Sequence, residues 1–295
     1  MKNGIVIINK GQSLTSQGVV NRVKRLFSVD KAGHTGTLDP MATGVLPVLI
    51  GRAVKASEFM LTSKKAYLAE LTLGLTSDTE DIWGELTKTD APIPSEDEFL
   101  SVLDGFRGEI LQTPPMYSAL KVGGKKLCDL ARAGQEIERT PRPITIYRLE
   151  GERISDTVYR LTVDCSKGTY IRTLCNDIGA TLGTGAVMSA LCRREASGFT
   201  LNEAHTLEEI EAMSDEERER LVLPVERIFE ELPIVSLPAF FEHLGRSGCE
   251  LYQKKLGTSY PLGARVRLYG ADGFFAVGEV REYEDGTAIK PIRQF

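Results

Sequence analysis

Alternating apolar and polar residues predict several strands along the chain. Tyr67, Leu71 and Leu73 fall on one face of an extended segment that continues to Leu75. An uninterrupted apolar run from Ile5 to Ile8 indicates a short buried strand. The strands predicted in this way cover residues 5–8, 67–75, 144–153 and 158–165.

Apolar residues spaced three and four positions apart predict amphipathic helices between these strands. Ser95 and Glu98 form a capping box ahead of such a series, which begins at Phe99. Helices are predicted after residues 13–16, over residues 52–60 and after Ser95. A further helix is predicted around Leu174, Ile178 and Leu182 and ends at Gly183. Short capped helices are predicted within residues 203–232.

The pattern changes near the end of the sequence. Pro233 and Pro238 bracket a shift in composition, and short strands follow from Arg265 with a hairpin signal at Asp272-Gly273. We therefore predict two domains, residues 1–232 and residues 233–295.

Composition and charge narrow the class of protein. The 295 residues are 42% hydrophobic, which is typical of globular chains. No apolar run is long enough to cross a membrane and the first residues lack a signal-peptide pattern, so a cytoplasmic protein without membrane contact is expected. Five cysteines without a C-x-x-C pair indicate neither a disulfide framework nor a zinc site.

The net charge of −5 argues weakly against a nucleic-acid partner, but the charges are unevenly distributed. Ten acidic residues and three arginines lie within residues 208–231, whereas residues 112–143 are rich in cations. The second segment is punctuated by proline and glycine, which suits an RNA-gripping insertion. Its cations are Lys121, Lys125, Lys126, Arg132, Arg139 and Arg142.

Asp39 is the only formally charged residue between Lys31 and Arg52. The surrounding string GHTGTLDPMATGVLP is apolar and glycine-rich, and an isolated carboxylate is costly to bury there unless a cation pairs with it. Pro40 holds Asp39 in an extended or turn conformation. This setting suits a reactive side chain, although Asp-Pro is also a common turn dipeptide.

The same string resembles the catalytic motif of the tRNA pseudouridine-55 synthases, the TruB-type family. Other motifs of the family occur in the expected order along the chain. The sequence departs from the family at Asn9 and Gly11, where Asp and Pro are usual. The matching features are Lys10 ahead of Thr15-Ser16, Tyr67 at a strand start, SDTEDIWG at residues 77–84, QTPPMYSALKVGGKKLCDLARAG from Gln112, KGTYIRT at residues 167–173, and Leu191 with Arg193 in an L-x-R strand.

The resemblance implies an α+β fold. The expected catalytic domain is a mixed, largely antiparallel sheet with flanking helices and a catalytic cleft, followed by a small C-terminal β-rich PUA-like domain that binds RNA. The implied activity is the isomerisation of uridine to pseudouridine at position 55 in the T-loop of tRNA, by base flipping. The reaction conserves atoms and oxidation state, so no cofactor and no metal are expected.

The family also implies roles for individual residues. Asp39 is expected to act as a nucleophile or as a base, with Arg172 as its partner. Tyr67, the third catalytic residue, is expected to stack on the target base and to act in proton transfer. His34 would occupy or support the position that the base vacates. The remaining predicted substrate-binding residues are Tyr170, Leu191, Lys10, Lys121, Lys125, Lys126 and Arg132. The expected partner is the T-arm of tRNA, no protein partner is indicated, and a monomer is expected.

Two other functions compete with this interpretation. A catalytically silent RNA-binding or tRNA-folding protein would not need Asp39, Tyr67 and Arg172 together. A metal-dependent phosphohydrolase could use Asp78 and Asp81, but the sequence offers no complete ligand set for it.

Overall fold

The computed structural model of the chain describes residues 2–60 and 64–295. Its strands are β1 (Gly4–Lys10), β2 (Ala32–His34), β3 (Thr43–Ile50), β4 (Lys65–Leu73), β5 (Leu75–Ser77), β6 (Leu86–Lys88), β7 (Gly108–Gln112), β8 (Lys121–Val122), β9 (Lys125–Lys126), β10 (Arg142–Arg153), β11 (Val158–Cys165), β12 (Ala186–Ala196), β13 (Phe199–Thr200), β14 (Ile234–Ser236), β15 (Leu251–Tyr252), β16 (Arg265–Gly270), β17 (Gly273–Tyr283) and β18 (Gly286–Gln294).

Helices connect and cover these strands. The α-helices are α1 (Ser16–Leu26), α2 (Ser57–Met60), α3 (Glu96–Val102), α4 (Leu127–Arg132), α5 (Ile171–Thr181), α6 (Leu207–Ala212), α7 (Asp215–Arg220), α8 (Ala239–Arg246) and α9 (Gln253–Leu256). Short 3-10 helices cover Gly51–Ala56, Leu103–Phe106, Leu201–Glu203 and Val225–Phe229. Neither described range contains a helix long and apolar enough to span a membrane.

The large sheet has the strand order β1-β3-β12-β4-β11-β10-β7, with β2 added to β3 and β13 added to β12. Its pairs are antiparallel except for β3 and β12, which run parallel. The predicted α+β class with a mixed, largely antiparallel sheet is therefore confirmed. The parallel pair matters for function, because it brings Gly44 at the end of the Asp39 loop beside Arg193.

The predicted alternation in β4 is present. Tyr67, Leu71 and Leu73 are buried together with Ala69, because β4 lies between β12 and β11 and one of its faces packs on the core. Helix α1 packs on the sheet through Val19, Val20 and Val23, as its spacing predicted.

Three local features differ from the predictions. The strand predicted over 67–75 ends at Leu73, and Leu75 begins the separate strand β5, because Gly74 breaks the extended backbone with a φ of 79°. Thr43–Ile50 is a central strand that we did not assign, because it is buried on both faces and so lacks the alternation that marks a half-exposed strand. The helix predicted over 52–60 is a 3-10 turn followed by a single α-helical turn.

The five-stranded sheet near the end of the chain has the order β14-β16-β17-β18-β15. It contains the predicted hairpin between β16 and β17 and has a core of its own. That core includes Val235, Leu237, Leu251, Val266, Leu268 and Phe275.

A separate apolar cluster joins the two sheets. Ile5 and Ile7 of β1 belong to it together with Val277 of β17, and Phe274 and Ile292 pack against it. Burial of this shared surface stabilises both sheets at once, since apolar area removed from water contributes roughly 25 cal/mol per Å².

Candidate active site

A cleft of about 820 Å³ opens beside the loop that carries Asp39. Its walls come from the loop between β2 and β3, the start of β4, the turn after β5, the segment before β8, the start of α5 and the middle of β12. The predicted residues that line it are Asp39, Tyr67, Arg172, His34, Tyr170, Leu191, Lys126 and Arg132.

Asp39 and Arg172 form an ion pair in this cleft. Nε of Arg172 donates to Oδ2 of Asp39 at 2.9 Å, and the Asp39 side chain stays 36% exposed while that of Arg172 is 5% exposed. The cation that Asp39 lacks in its own segment therefore comes from the first turn of α5. Arg172 pairs with one oxygen of the carboxylate, and part of the Asp39 side chain stays open to a reacting group.

Arg172 also fixes the walls of the cleft. Its Nη1 donates to the carbonyl oxygen of Thr79 at 2.7 Å, and its Nη2 donates to that of Tyr117 at 2.8 Å. The carboxylate of Asp81 lies 3.7 Å from Nε. One buried guanidinium thus joins three loops, and its fixed fork geometry sets their spacing around Asp39.

Arg193 holds the Asp39 loop from β12. This residue is 1% exposed, and its Nε donates to the carbonyl oxygen of Val45 at 2.8 Å while its Nη2 donates to that of Gly36 at 3.1 Å. Gly44 allows this close approach, because it has a φ of 103° and a Cβ there would overlap the main chain of Arg193.

Ser16, at the start of α1, holds the centre of the same loop. Its Oγ donates to the carbonyl oxygen of Leu38 at 3.0 Å and accepts from the Leu38 amide at 2.8 Å. Both the amide and the carbonyl group of Leu38, the residue before Asp39, are therefore hydrogen-bonded to Ser16. A carboxylate on such a loop is held in place before the substrate arrives.

The structure corrects the predicted RNA contact of Lys10. The side chain is completely buried, and its Nζ donates to the carbonyl oxygens of Gly11, Pro40 and Ala42. Burial lowers the pKa of Lys10 from 10.5 to about 8. Lys10 supports the Asp39 loop from behind, and the sequence motif could not distinguish this role from an exposed contact.

Tyr67 begins the buried face of β4, where it is 7% exposed and lies against Arg193. Burial raises the pKa of Tyr67, and the neighbouring Arg193 opposes the rise. The phenol therefore stays protonated near neutral pH. It offers a flat ring and a hydrogen-bond donor to a group in the cleft.

Tyr170 and Leu191 form another part of the wall. The side-chain amide of Gln112 exchanges two hydrogen bonds with the main chain of Tyr170, at 2.8 and 3.1 Å. Leu191 is 8% exposed. These apolar surfaces and the ring of Tyr67 make a slot that suits a planar base.

His34 lines the cleft as a half-buried side chain. Burial lowers its pKa, and the charge of Arg193 lowers it further, so the imidazole is neutral near pH 7. In the described part of the chain its Nδ1 has no hydrogen-bond partner. That nitrogen is buried, so His34 presents the remaining, exposed part of its neutral ring to the cleft.

The carboxylates of the turn after β5 are used within the protein. Asp78 Oδ1 accepts from the amide of Glu85 at 2.7 Å, and Asp81 Oδ1 accepts from the amide of Trp83 at 3.0 Å. Across residues 2–60 and 64–295, no group of three or more His, Cys, Asp or Glu side chains is arranged to hold a metal ion. Both acidic side chains therefore hold the main chain of this turn.

The cleft is electropositive although the chain is acidic. Among the described residues, six cations and two carboxylates line it. The cations are Lys65, Lys126, Arg132, Lys167, Arg172 and Arg193, and the carboxylates are Asp39 and Asp81. Such a surface attracts a polyanion.

The cations of the basic segment, residues 112–143, lie partly in the cleft wall and partly outside the cleft. Lys126 and Arg132 reach the cleft wall, whereas Lys121 and Lys125 lie on the exposed β8-β9 hairpin outside the cleft. The structure thus brings two of these four predicted contacts to the site.

Sequence reasoning assigned no role to Arg193, Ser16 or Lys65. Lys65 lines the cleft beside Gly36, and burial lowers its pKa. The charged run at residues 193–195, directly after the apolar first half of β12, was the available signal for Arg193, because a cation drawn into the sheet must find buried acceptors. Ser16 resembled an ordinary helix cap.

Comparison with protein families gives two adjoining matches. Residues 24–171 match the TruB family pseudouridylate synthase (N terminal domain), and residues 172–230 match the tRNA pseudouridylate synthase B C-terminal domain. The boundary between the two matches falls immediately before Arg172.

The sequences of known proteins align with this chain over nearly its whole length. A protein named tRNA pseudouridine synthase B from Alkaliphilus oremlandii is 44% identical over 294 residues, which are 99% of this chain and 98% of that protein. A protein of the same name from Methylobacillus flagellatus is 42% identical over 279 residues, 94% of this chain and 91% of the other.

A solved structure shares the fold. The match lies in the crystal structure of a Cbf5-Nop10-Gar1 complex, with a TM-score of 0.74 and 27% sequence identity. The alignment covers 99% of this chain and 84% of the other.

Proposed function

Because the chain belongs to the TruB family of pseudouridylate synthases and isomerises uridine to pseudouridine in tRNA, we propose that its target is uridine 55 of the T-loop. In this proposal Asp39 is the essential residue. The observation that carries it is the 2.9 Å pair of Asp39 and Arg172 in an electropositive cleft.

The chemistry needs few groups. The C1′–N1 bond breaks, the uracil rotates, and a C1′–C5 bond forms. C5 then loses its proton while N1 gains one, so the product is an isomer of the substrate. The protein must stabilise a sugar or uracil intermediate, hold the detached base, and move protons.

Asp39 supports two routes through this reaction. As a nucleophile it adds to the sugar at C1′ or to the uracil ring, and as a base it removes a sugar proton to start glycal formation. A carboxylate beside C1′ also stabilises positive charge on the sugar, as in glycoside hydrolysis. In each route Arg172 orients Asp39 in the cleft through their 2.9 Å hydrogen bond.

The target base must leave the folded T-loop to reach Asp39. Base flipping costs a few kcal/mol of stacking and pairing, which contacts in the pocket offset. Tyr67, Tyr170 and Leu191 hold the flipped uracil, and the neutral His34 fills the position that it leaves. Tyr67 is also placed for proton transfer, since its buried hydroxyl stays protonated.

Recognition of the T-arm rests on shape and phosphates, as is usual for structured RNA. Lys126 and Arg132 contact the backbone near the target, and Lys121 and Lys125 contact it further out. The acidic helices α6 and α7 carry charges of the wrong sign for RNA. The bound RNA therefore lies on the cleft side of the molecule.

We also infer a division of labour along the chain. Residues 1–232 carry the chemistry, and residues 233–295 act as a PUA-like module that adds RNA contacts. Nothing in the proposed mechanism requires a second subunit, so the enzyme works as a monomer, in the cytoplasm where tRNA is modified.

The test is tritium release from a tRNA transcript labelled at C5 of uridine. We expect one equivalent of tritium from the wild-type transcript and none from a transcript with cytidine at position 55. Equal release from both transcripts would exclude position 55 as the target and leave the general isomerase activity intact.

A further inference from the structure

Trp83 is the single tryptophan of the chain, and its side chain is 54% exposed while it lines the cleft. Large aromatic side chains are usually well buried, because each carries an extensive apolar surface. Ile82 on the same loop and Leu86 at the start of β6 are exposed as well. This segment therefore presents an apolar surface beside a cleft whose charged lining is mainly cationic.

The main chain beneath Trp83 is firmly held. Its amide donates to Oδ1 of Asp81 at 3.0 Å, and the amide of Ile82 donates to the carbonyl oxygen of Met188 in β12 at 3.0 Å. Asp81 in turn lies 3.7 Å from Nε of Arg172. The position of the indole is thus tied to the Asp39–Arg172 pair through the backbone, without burial of the ring.

Gly84 closes the turn directly after Trp83. A Cβ at this position would overlap the side-chain oxygens of Ser77, Asp78 and Thr79. The turn is therefore built tightly on its inner side. An indole on its outer side is presented by a rigid element, as a preorganised binding surface requires.

Tyr117 stands on a second loop that is joined to the same turn. Its hydroxyl donates to Oδ2 of Asp78 at 3.3 Å, and its carbonyl oxygen accepts from Arg172. Tyr117 and Trp83 both line the cleft. The two aromatic rings are consequently held by one network around Arg172.

We propose that Trp83 is a stacking surface for an unpaired base next to the target uridine. This inference rests on the proposed function, since a uridine that leaves the loop also unstacks its neighbours. A base displaced in this way exposes both faces of its ring. Stacking on indole recovers the lost contact and tolerates any base, because every base has a π-face.

The first test uses the intrinsic fluorescence of Trp83 in full-length Asp39→Asn, which we expect to bind tRNA without converting it. The reporter is unambiguous, because the chain contains no other tryptophan. Stacking on a base quenches indole emission, so we expect quenching that saturates together with filter binding. Unchanged emission at saturating tRNA overturns the proposal.

The second test compares Trp83→Ala, Trp83→Phe and a control, Ile154→Ala, which changes an exposed apolar residue outside the cleft. We expect Trp83→Ala to weaken tRNA binding about tenfold or more, and Trp83→Phe to weaken it less. The control should bind like wild type. Wild-type affinity in Trp83→Ala overturns the proposal.

A double-mutant cycle identifies the stacked base. One transcript carries an abasic sugar directly before the target uridine, and a second transcript carries one directly after it. With one of these two transcripts, Trp83→Ala should no longer weaken binding. An undiminished effect on both transcripts excludes stacking on a neighbouring base. Failure of the proposed function gives a different result, because wild-type protein would then release no tritium from uridine 55 whatever residue stands at position 83.

Discussion

Lys10 donates from Nζ to the carbonyl oxygen of Ala42 at 2.5 Å, across the loop that carries Asp39. Gly11 and Pro40 provide two further carbonyl acceptors, which match the three N–H groups of an ammonium. Since Lys10 is completely buried, RNA cannot reach it. The geometry of Asp39 thus depends on a cation behind the loop as well as on those in the cleft.

The lowered pKa of Lys10 predicts a pH effect on stability. Between pH 8 and 10.5 the unfolded chain binds a proton at Lys10 that the folded chain has released, so this group adds stability as the pH rises. We expect the free energy of unfolding of wild type relative to Lys10→Met to increase by about 3 kcal/mol over this range.

Denaturant unfolding of both proteins across these pH values measures the difference. Effects from all other titrating groups cancel, because the two chains differ only at position 10. Parallel stability curves would contradict the prediction and would mean that Lys10 keeps its ordinary pKa in the folded protein.

Asp39→Asn should abolish isomerisation and leave tRNA binding nearly intact. Asparagine keeps the shape and removes the charge, so nucleophilic and basic roles are lost together. The rate should fall on the order of a thousandfold or more. Single-turnover assays with excess enzyme measure this rate, and filter binding measures the affinity.

Unfolding experiments supply the control for this variant. Arg172 retains the carbonyl oxygens of Thr79 and Tyr117, and Asp39 is 36% exposed, so the stability loss should be about 1–2 kcal/mol. A folded variant within about tenfold of the wild-type rate, a 1.4 kcal/mol effect, would make Asp39 a structural residue.

Arg193→Lys should slow catalysis although the positive charge remains. One ammonium cannot replace the guanidinium fork that reaches Val45 and Gly36, so a buried carbonyl is left unpaired at a cost of about 1–3 kcal/mol. Small displacement of the Asp39 loop should lower the rate at saturating tRNA about a hundredfold. Arg194→Lys, at the exposed neighbouring position, is the matched control and should behave like wild type. Equal rates in the two variants would rule out a positioning role for Arg193.

Tyr67→Phe should preserve tRNA affinity and reduce the rate. The ring that we propose to stack on the base remains, while the buried hydroxyl, protonated at neutral pH, is lost. Loss of a proton-transfer group costs about a hundredfold or more. Single-turnover rates compare this variant with Tyr159→Phe, whose hydroxyl is buried in the core without a hydrogen-bond partner in the described chain. A wild-type rate in Tyr67→Phe would limit Tyr67 to stacking.

The strands and helices of this fold were predictable where only one face of the element is buried. Alternation identified β4 and β11, and caps located α3, because local pattern and tertiary packing agree there. Thr43–Ile50 was missed, since a strand covered on both faces has no polar positions to mark it.

The site was predictable as a set of residues but not as a network. The isolated charge of Asp39 required a cation, and the family motif identified Arg172 as that cation. Sequence could not reveal that Lys10 points inward, because its direction depends on three carbonyl groups brought together only by the β1-β3 pairing. The support from Arg193 likewise depends on a parallel pairing between distant segments.

The apolar cluster between the two sheets has a consequence for synthesis on the ribosome. Ile5 and Ile7 are translated long before Phe274 and Ile292, because most of the given sequence lies between the two pairs. A nascent chain that lacks the later segment exposes one side of β1, and contacts between such distant residues form slowly. Chaperone capture of this surface during translation should therefore end only when β17 and β18 have emerged and covered it.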